Sequence, residues 1–295
     1  MLTKLNKEDK VVTAIVYAFL SVIFLLVAYP LYFIVIASIS DPALVSGGDV
    51  WLYPRQISLE GYRRIFAHEE ILTGYRNSII YAVLGTSINL SVTLTAAYSL
   101  SRSDLVGRNV ITFVFAFTMF FSGGIIPLFL LVRGLGLYNT IGAMVLPTAL
   151  SVWNLIIART FFQSTIPKEL LDSAKVDGCS DFRFFWSIVL PLSTAIMAVL
   201  LIFYAVHHWN SFFNALIFLR SREKFPLQLV LRDILIQNQF TDEMMIDDAS
   251  AEVALMVAES MKYGVIIVAS LPVLILYPWV QKHYVRGIMI GAIKG

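Results

Sequence analysis

The sequence predicts an all-α integral membrane protein that crosses the bilayer six times. Three observations carry this. The 295 residues are 58% hydrophobic, with a mean hydropathy of +0.77. Only 14% are charged, where a water-soluble domain carries about 25%. The apolar residues also gather in runs of about 20, the length a helix needs to cross a hydrocarbon core about 30 Å thick.

Six runs meet that length: roughly 12–39, 78–100, 110–131, 141–161, 187–219 and 263–280. Each is too long and too weakly alternating for a barrel strand. The first begins after Lys4, Lys7 and Lys10, as a signal peptide does, but its apolar run is well beyond the 7–15 residues of such a segment. It is read as an uncleaved first span. Residues 1–76 then hold an N-terminal tail, the first helix and an outer loop. Residues 77–295 hold a core of helices 2–6, a short helix at about 167–180 and a second outer loop at about 220–262.

Six spans place both termini on one side. With the termini inside, the inner segments carry Lys4, Lys7, Lys10, Arg102, Arg108, Lys168, Lys175, Arg183, Lys282, Arg286 and Lys294. The outer loops hold nearly as many basic residues, among them Arg55, Arg63, Arg64, Arg220, Arg222, Lys224 and Arg232, but over much longer stretches. Positive charge is therefore denser inside, as the positive-inside rule expects. A net charge of +2 and no basic patch give no sign of nucleic acid. Cys179 is the only cysteine, which excludes an intrachain disulfide and a thiolate metal cluster.

Between the fourth and fifth runs lies PKELLDSAKVDGCSDFRFFWSIVLPL, residues 167–192. Its charges are costly at bilayer depth, so it belongs in water beside the membrane. Pro167 suits the first helical position, where its missing N–H costs nothing. Leu170, Leu171 and Ala174 then fall on one side, with Lys168, Glu169, Asp172 and Lys175 around the rest. Gly178 supplies the stop, and Phe182, Phe185 and Trp186 lead into the fifth span. A short amphipathic helix, a sharp turn and a second helix are expected.

Chemistry of other kinds is missing from the chain. It has no G-x-x-x-x-G-K-[ST] and no Gly-Lys pair, so no loop cradles nucleotide phosphates. His68-Glu69-Glu70 lacks a second histidine at metal-binding spacing. The neighbours His207 and His208 point about 100° apart on a helix, which suits a polar lining better than a metal site. Neutral polar residues recur on single faces: Thr86, Asn89 and Thr93; Thr148, Ser151 and Asn154; His207, Asn210 and Asn214. With Tyr204 and Trp209 they suit the lining of a polar pathway. They equally suit interhelical hydrogen bonds, worth about 0.6–2 kcal/mol each in membranes, and the pattern alone leaves both readings open.

The pattern Asp172-Ser173-Ala174, Asp177-Gly178, then Ile188 and Leu190-Pro191-Leu192 resembles the E-A-A-x(3)-G and I-x-L-P loop of ABC importer permeases. Asp172 and Ser173 stand where Glu and Ala are usual. AAYSLSRSDLVGRN (96–109), WNSFFNALIFL (209–219), FPLQLVL (225–231) and LPVLILYPWVQKHYVRGIMIGAIKG (271–295) are similar, in the same order, to the carbohydrate permeases of maltose type, the MalG-like half and its LplC/YtcP branch.

That resemblance implies a type I ABC importer transmembrane domain whose short loop helix is a coupling helix docked on a separate ATPase. Glu169, Leu170, Leu171, Asp172, Ser173, Ala174, Asp177 and Gly178 become the expected coupling residues, with Leu170, Leu171 and Ala174 as the docking surface. Asn89, Ser151, Asn154, Tyr204, His207, Trp209, Asn210 and Asn214 become candidates for the substrate pathway. No cofactor is expected on this chain; ATP and Mg belong to two copies of a cytoplasmic ATPase. A second, homologous permease, an extracytoplasmic solute-binding protein, membrane lipid and an oligosaccharide substrate complete the expected partners. The location implied is the bacterial cytoplasmic membrane, with both termini in the cytoplasm. Other readings are an ABC permease for a non-sugar solute, a membrane-embedded enzyme, or a secondary carrier, which the near absence of acidic residues inside the spans disfavours.

Overall fold

A computed structural model describes residues 7–234 and 261–278, and among these every regular element is a helix. The elements are α1 (Lys7–Ser38), α2 (Pro42–Ser46), α3 (Glu60–Ala67), α4 (Glu69–Ser101), α5 (Arg108–Phe120), α6 (Ile125–Gly134), α7 (Ile141–Val145) and α8 (Val152–Thr165). After them come α9 (Lys168–Val176), α10 (Asp181–Phe184), α11 (Leu190–Leu192), α12 (Thr194–Trp209), α13 (Phe213–Phe218), α14 (227–234) and α15 (Met261–Pro278). Most of the second outer loop and the part of the C-terminal motif beyond residue 278 lie outside the described residues.

The described residues form two compact units, one of residues 7–68, 233–234 and 261–270, the other of residues 69–232 and 271–278. In the first unit, α1 is 32 residues long and apolar all round, with its most hydrophobic stretch unburied. The chain after it folds back on its last turn: Arg55 N–H donates to Ser40 Oγ (3.2 Å) and Ser58 N–H to the Ile39 carbonyl (3.0 Å). Tyr62 of α3 donates to Ser38 Oγ at 2.9 Å, and Phe33 meets Tyr263 of α15 edge to face at 5.8 Å.

The second unit is built around α4, whose 33 residues run for about 50 Å at 1.5 Å per residue. α8 and α12 pack along it through Leu94, Ala97, Tyr98, Leu155, Ala158, Phe162, Ile196 and Leu200. At its first end, residues 223–227 are laced on: Asn77 Nδ2 donates to the Glu223 carbonyl (2.7 Å), Tyr81 OH to that of Lys224 (2.7 Å), and Leu227 N–H to Ser78 Oγ (2.9 Å). At its other end Tyr98 packs on Phe162 and Phe185, beside α9 and α10. From Tyr81 to Tyr98 is about 25 Å along the helix, so the 223–227 segment and α9 stand at opposite ends of it.

Three of the six expected crossings differ from straight helices. The third, expected over 110–131, is α5 and α6 with axes at 114°, broken after Phe120 where Gly124 takes a positive φ of 81°. The fourth bends by 51° between Thr148 and Val152, next to Pro147, whose lack of an N–H interrupts the ladder. The fifth, expected as one run over 187–219, bends by 82° at Ser193, just after Pro191, and ends at Trp209, with α13 a separate helix. Residues 185–189 ahead of Pro191 are wound as a π-turn, the usual place for a helix to absorb a defect.

Close approach of α4 and α12 depends on Gly85: a Cβ there would stand 2.3 Å from His208 Nε2. Gly85→Ala should therefore destabilise the protein by about 1–3 kcal/mol, the usual cost of overpacking. Thermal unfolding in detergent measures this, and His208→Ala in the same chain should recover part of the loss.

Candidate functional site

Two regions of the second unit carry the residues singled out from the sequence. The first is α9 with its turn. Pro167 is the residue before the helix, φ −64° and ψ 145°, rather than its first helical residue. The helix closes in a Schellman turn: Gly178 N–H donates to the Lys175 carbonyl (3.1 Å) and Cys179 N–H to that of Ala174 (2.9 Å). Gly178 has φ +74° with open space where a Cβ would stand, so conformation and not crowding demands glycine. Ser180 Oγ then accepts from Arg183 N–H at 3.3 Å and starts α10, so only three residues separate α9 from Ser180.

Of the expected docking surface, Ala174 is buried in the core cluster containing Phe162, Phe184 and Phe185, and Leu170 and Leu171 are half-buried against it. Apolar side chains at that spacing take the nearest dry surface, and here it is the chain's own. The face left in water is Glu169, Asp172, Ser173 and Val176, at i, i+3, i+4 and i+7, with Asp177 beyond. Val176 is 89% exposed, and Phe182, on the next helix, is 74% exposed. Neither was singled out for docking; the signal for Val176 was an aliphatic residue on the polar side of the helical wheel.

Beside α9 lies a charged cluster that spacing did not announce. Arg102 grips Asp104 with Nε (2.9 Å) and Nη2 (2.5 Å) and Asp181 with Nη1 (2.6 Å), while Lys175 Nζ is 3.8 Å from Asp104. The hydrogen bonds from Arg102 hold the Asp104 carboxyl well below the usual carboxylate range, and the same bonds raise Arg102. With the folded value depressed, the pair's contribution is present above the ordinary 3.8 and is lost only as pH falls toward the depressed value. A cavity of about 750 Å³ opens beside the cluster, between Arg102, Arg108, Pro167, Leu171 and Lys175.

The second region is a groove along α12. A cavity of about 490 Å³ is lined by Phe203, His207, Asn210, Phe212 and Asn214. Another of about 320 Å³ is lined by Pro147, Ser151, Asn154, Tyr204 and again Phe203 and His207. Six of the eight candidate pathway residues thus come together. The other two point elsewhere. Asn89 is 0% exposed, donates to the Thr148 carbonyl (2.5 Å) and bonds His208 Nε2 through Oδ1 (2.6 Å). Trp209 is buried edge to face against Tyr75 at 5.5 Å. The two histidines diverge as adjacent helical residues must: His208 turns to α4 and His207 to the cavities. Among the described residues no three His, Cys, Asp or Glu side chains converge as a metal set.

The described residues thus show an α-helical membrane protein with a water-exposed helix, α9, between two crossings. The chain belongs to the family described as "Binding-protein-dependent transport system inner membrane component", which matches residues 89–290. It is 38% identical over 288 residues to the polygalacturonan/rhamnogalacturonan transport system permease protein YtcP of Bacillus subtilis, covering 98% of this chain and 100% of that one. It is 39% identical over 266 residues to LplC of the same organism, covering 90% and 89%. Its fold matches a subunit in the crystal structure of a bacterial ABC transporter involved in the import of the acidic polysaccharide alginate. The TM-score is 0.85 and the identity 31%, over 95% of this chain and 98% of that one. The six-crossing fold of a type I ABC importer subunit, and its membrane location, follow.

Gly178→Val should lower solute uptake by cells to background at normal membrane levels, because a β-branched residue at positive φ forces the turn open. Gly178→Asn, which tolerates that conformation, should keep most of it. Uptake of labelled solute with immunoblots of the membrane fraction checks both.

Proposed function

We propose that the chain is one of two membrane subunits of an importer for oligosaccharides, and that α9 seats on a separate ATPase which supplies the energy. ATP and Mg then belong to the ATPase, a second permease subunit completes the pathway, and an extracytoplasmic binding protein delivers the solute. Both termini and α9 lie in the cytoplasm, and residues 223–227, at the far end of α4, lie outside. In sequence terms the division is residues 1–76 ahead of a 77–295 core, with coupling residues at 167–180 and an outer loop at 220–262.

The observation that carries this reading is the foot itself. It is a water-exposed helix with an aliphatic knob, Val176, joined by a tight turn to the first helix of the fifth crossing. Closure of the ATPases displaces such a foot, and the short joint passes the movement to α12 and the groove beside it. Only contacts that differ between the two states drive the change. Glu169, Asp172, Ser173, Val176 and Asp177 make them; Leu170, Leu171 and Ala174 hold the foot to its own subunit, and Gly178 sets the turn.

In the groove, Asn154, Ser151, Asn210 and Asn214 supply neutral donors and acceptors and Phe203 supplies a flat face, which is the chemistry of a sugar, while the buried Tyr204 backs the wall. Asn89 and Trp209 serve by holding the walls. YtcP is described as a polygalacturonan/rhamnogalacturonan permease and the alginate transporter as an importer of an acidic polysaccharide, and fragments of such polymers are the first solutes to try.

Purification of the tagged chain should bring an ATPase with it in stoichiometric amount. Val176→Asp, a surface change with little cost to the fold, should lower that capture and uptake by about tenfold or more, the loss of about 1.4 kcal/mol from a docking contact. Capture unaffected by Val176→Asp would remove α9 as the seat. A panel of labelled acidic and neutral oligosaccharides, tested against a strain lacking the gene, identifies the solute.

A further inference from the structure

We propose that Arg102 is a positioning residue that fastens α9 and its turn to the end of α4, making α4 a second route for the movement of the foot. The inference rests on the reading of α9 as the ATPase seat. Chain connectivity joins α9 only to α8 and α10, and so to the fourth and fifth crossings. Nothing covalent ties it to α4, the helix that lies along both and contributes Asn89 and Thr93 to their contacts.

The ion cluster supplies that tie. Arg102 directly follows α4, and its guanidinium lies over the ring of Tyr98, 6.0 Å from the centroid. It holds Asp104 with two nitrogens and Asp181, the first residue of α10, with the third. Asp104 in turn faces Lys175 in the last turn of α9. Both flanks of the Gly178 turn are therefore tied through one side chain to the end of α4. Arg102 is the fixed member, with its side chain 14% exposed, while those of Asp104 and Asp181 are 50% and 63% exposed. Arg108 also donates to the Arg102 carbonyl at 3.2 Å, which steadies the backbone that carries the guanidinium.

A planar fork of donors is needed to serve two carboxylates in different directions, which a lysine ammonium does not replace. The carboxylates are half-exposed or more, where an ion pair adds little to stability, and the apolar packing of Leu170, Leu171 and Ala174 holds α9 in place without them. The cluster therefore directs α9 without being required to retain it.

The test uses the full chain in its complex, reconstituted in lipid vesicles with the binding protein, with ATP hydrolysis and labelled solute uptake read from the same vesicles. Arg102→Gln should capture the ATPase and unfold at the same temperature as the parent, while the solute moved per ATP falls several-fold. Arg102→Lys should recover little of it. Asp181→Asn, a change at an exposed site, should lower the same ratio in part and serves if Arg102→Gln does not accumulate. An unchanged ratio in these variants overturns the proposal. So does loss of ATPase capture by Arg102→Gln, since Arg102 would then act in docking. Failure of the parent chain to capture any ATPase overturns the docking reading first, and this inference with it.

Discussion

Lipid offers no hydrogen bonds, so a helix broken within it must find partners for the backbone groups that the break releases. Asn89 answers that demand at the bend of the fourth crossing, donating to the Thr148 carbonyl while His208 holds its other end. Two side chains finish the repair. Ser151 Oγ accepts from Asn154 N–H at 3.4 Å, and the Tyr204 hydroxyl, bonded to Thr93 at 2.6 Å, accepts from Ser151 N–H at 3.4 Å. Helices α4, α8 and α12 are thus joined around one defect, and the smaller cavity lies against it. Without that repair the bend would leave one carbonyl and two N–H groups without partners, and the groove would have no wall.

The foot follows the opposite logic, since it stands in water and needs no partner for its polar face. Its apolar stripe packs against Phe162, Phe184 and Phe185, with Ala174 buried and Leu170 and Leu171 half-buried, which fixes how α9 lies whether or not a partner is present. A docking surface made of those leucines would be open to water before assembly and would invite indiscriminate association. The side that remains is mostly polar with a single aliphatic residue at Val176, a pattern suited to a specific seat. Arg102 adds direction to this arrangement where packing alone gives adhesion.

Much of this was legible in the residues. The apolar runs gave six crossings because a bilayer sets the length of a helix whatever its neighbours are. Gly178 was readable as a stop because positive φ is a backbone matter confined to a single residue. Pro147, Pro191 and Gly124 stand beside the three breaks. How far each bends was not legible, because 51°, 82° and 114° are set by what packs against each side.

Length, hydrophobic period and local backbone preference are properties of a short stretch of chain, and they were enough to define the crossings, the foot and its turn. Which face of the foot is free, and whether Asn89 lines a groove or mends a helix, depend on residues many positions away. So does the pairing of Arg102 with Asp181, 79 positions along the chain. Such contacts arise only when separate helices are brought side by side, and a polar stripe reads the same before that whether it will face solute or another helix.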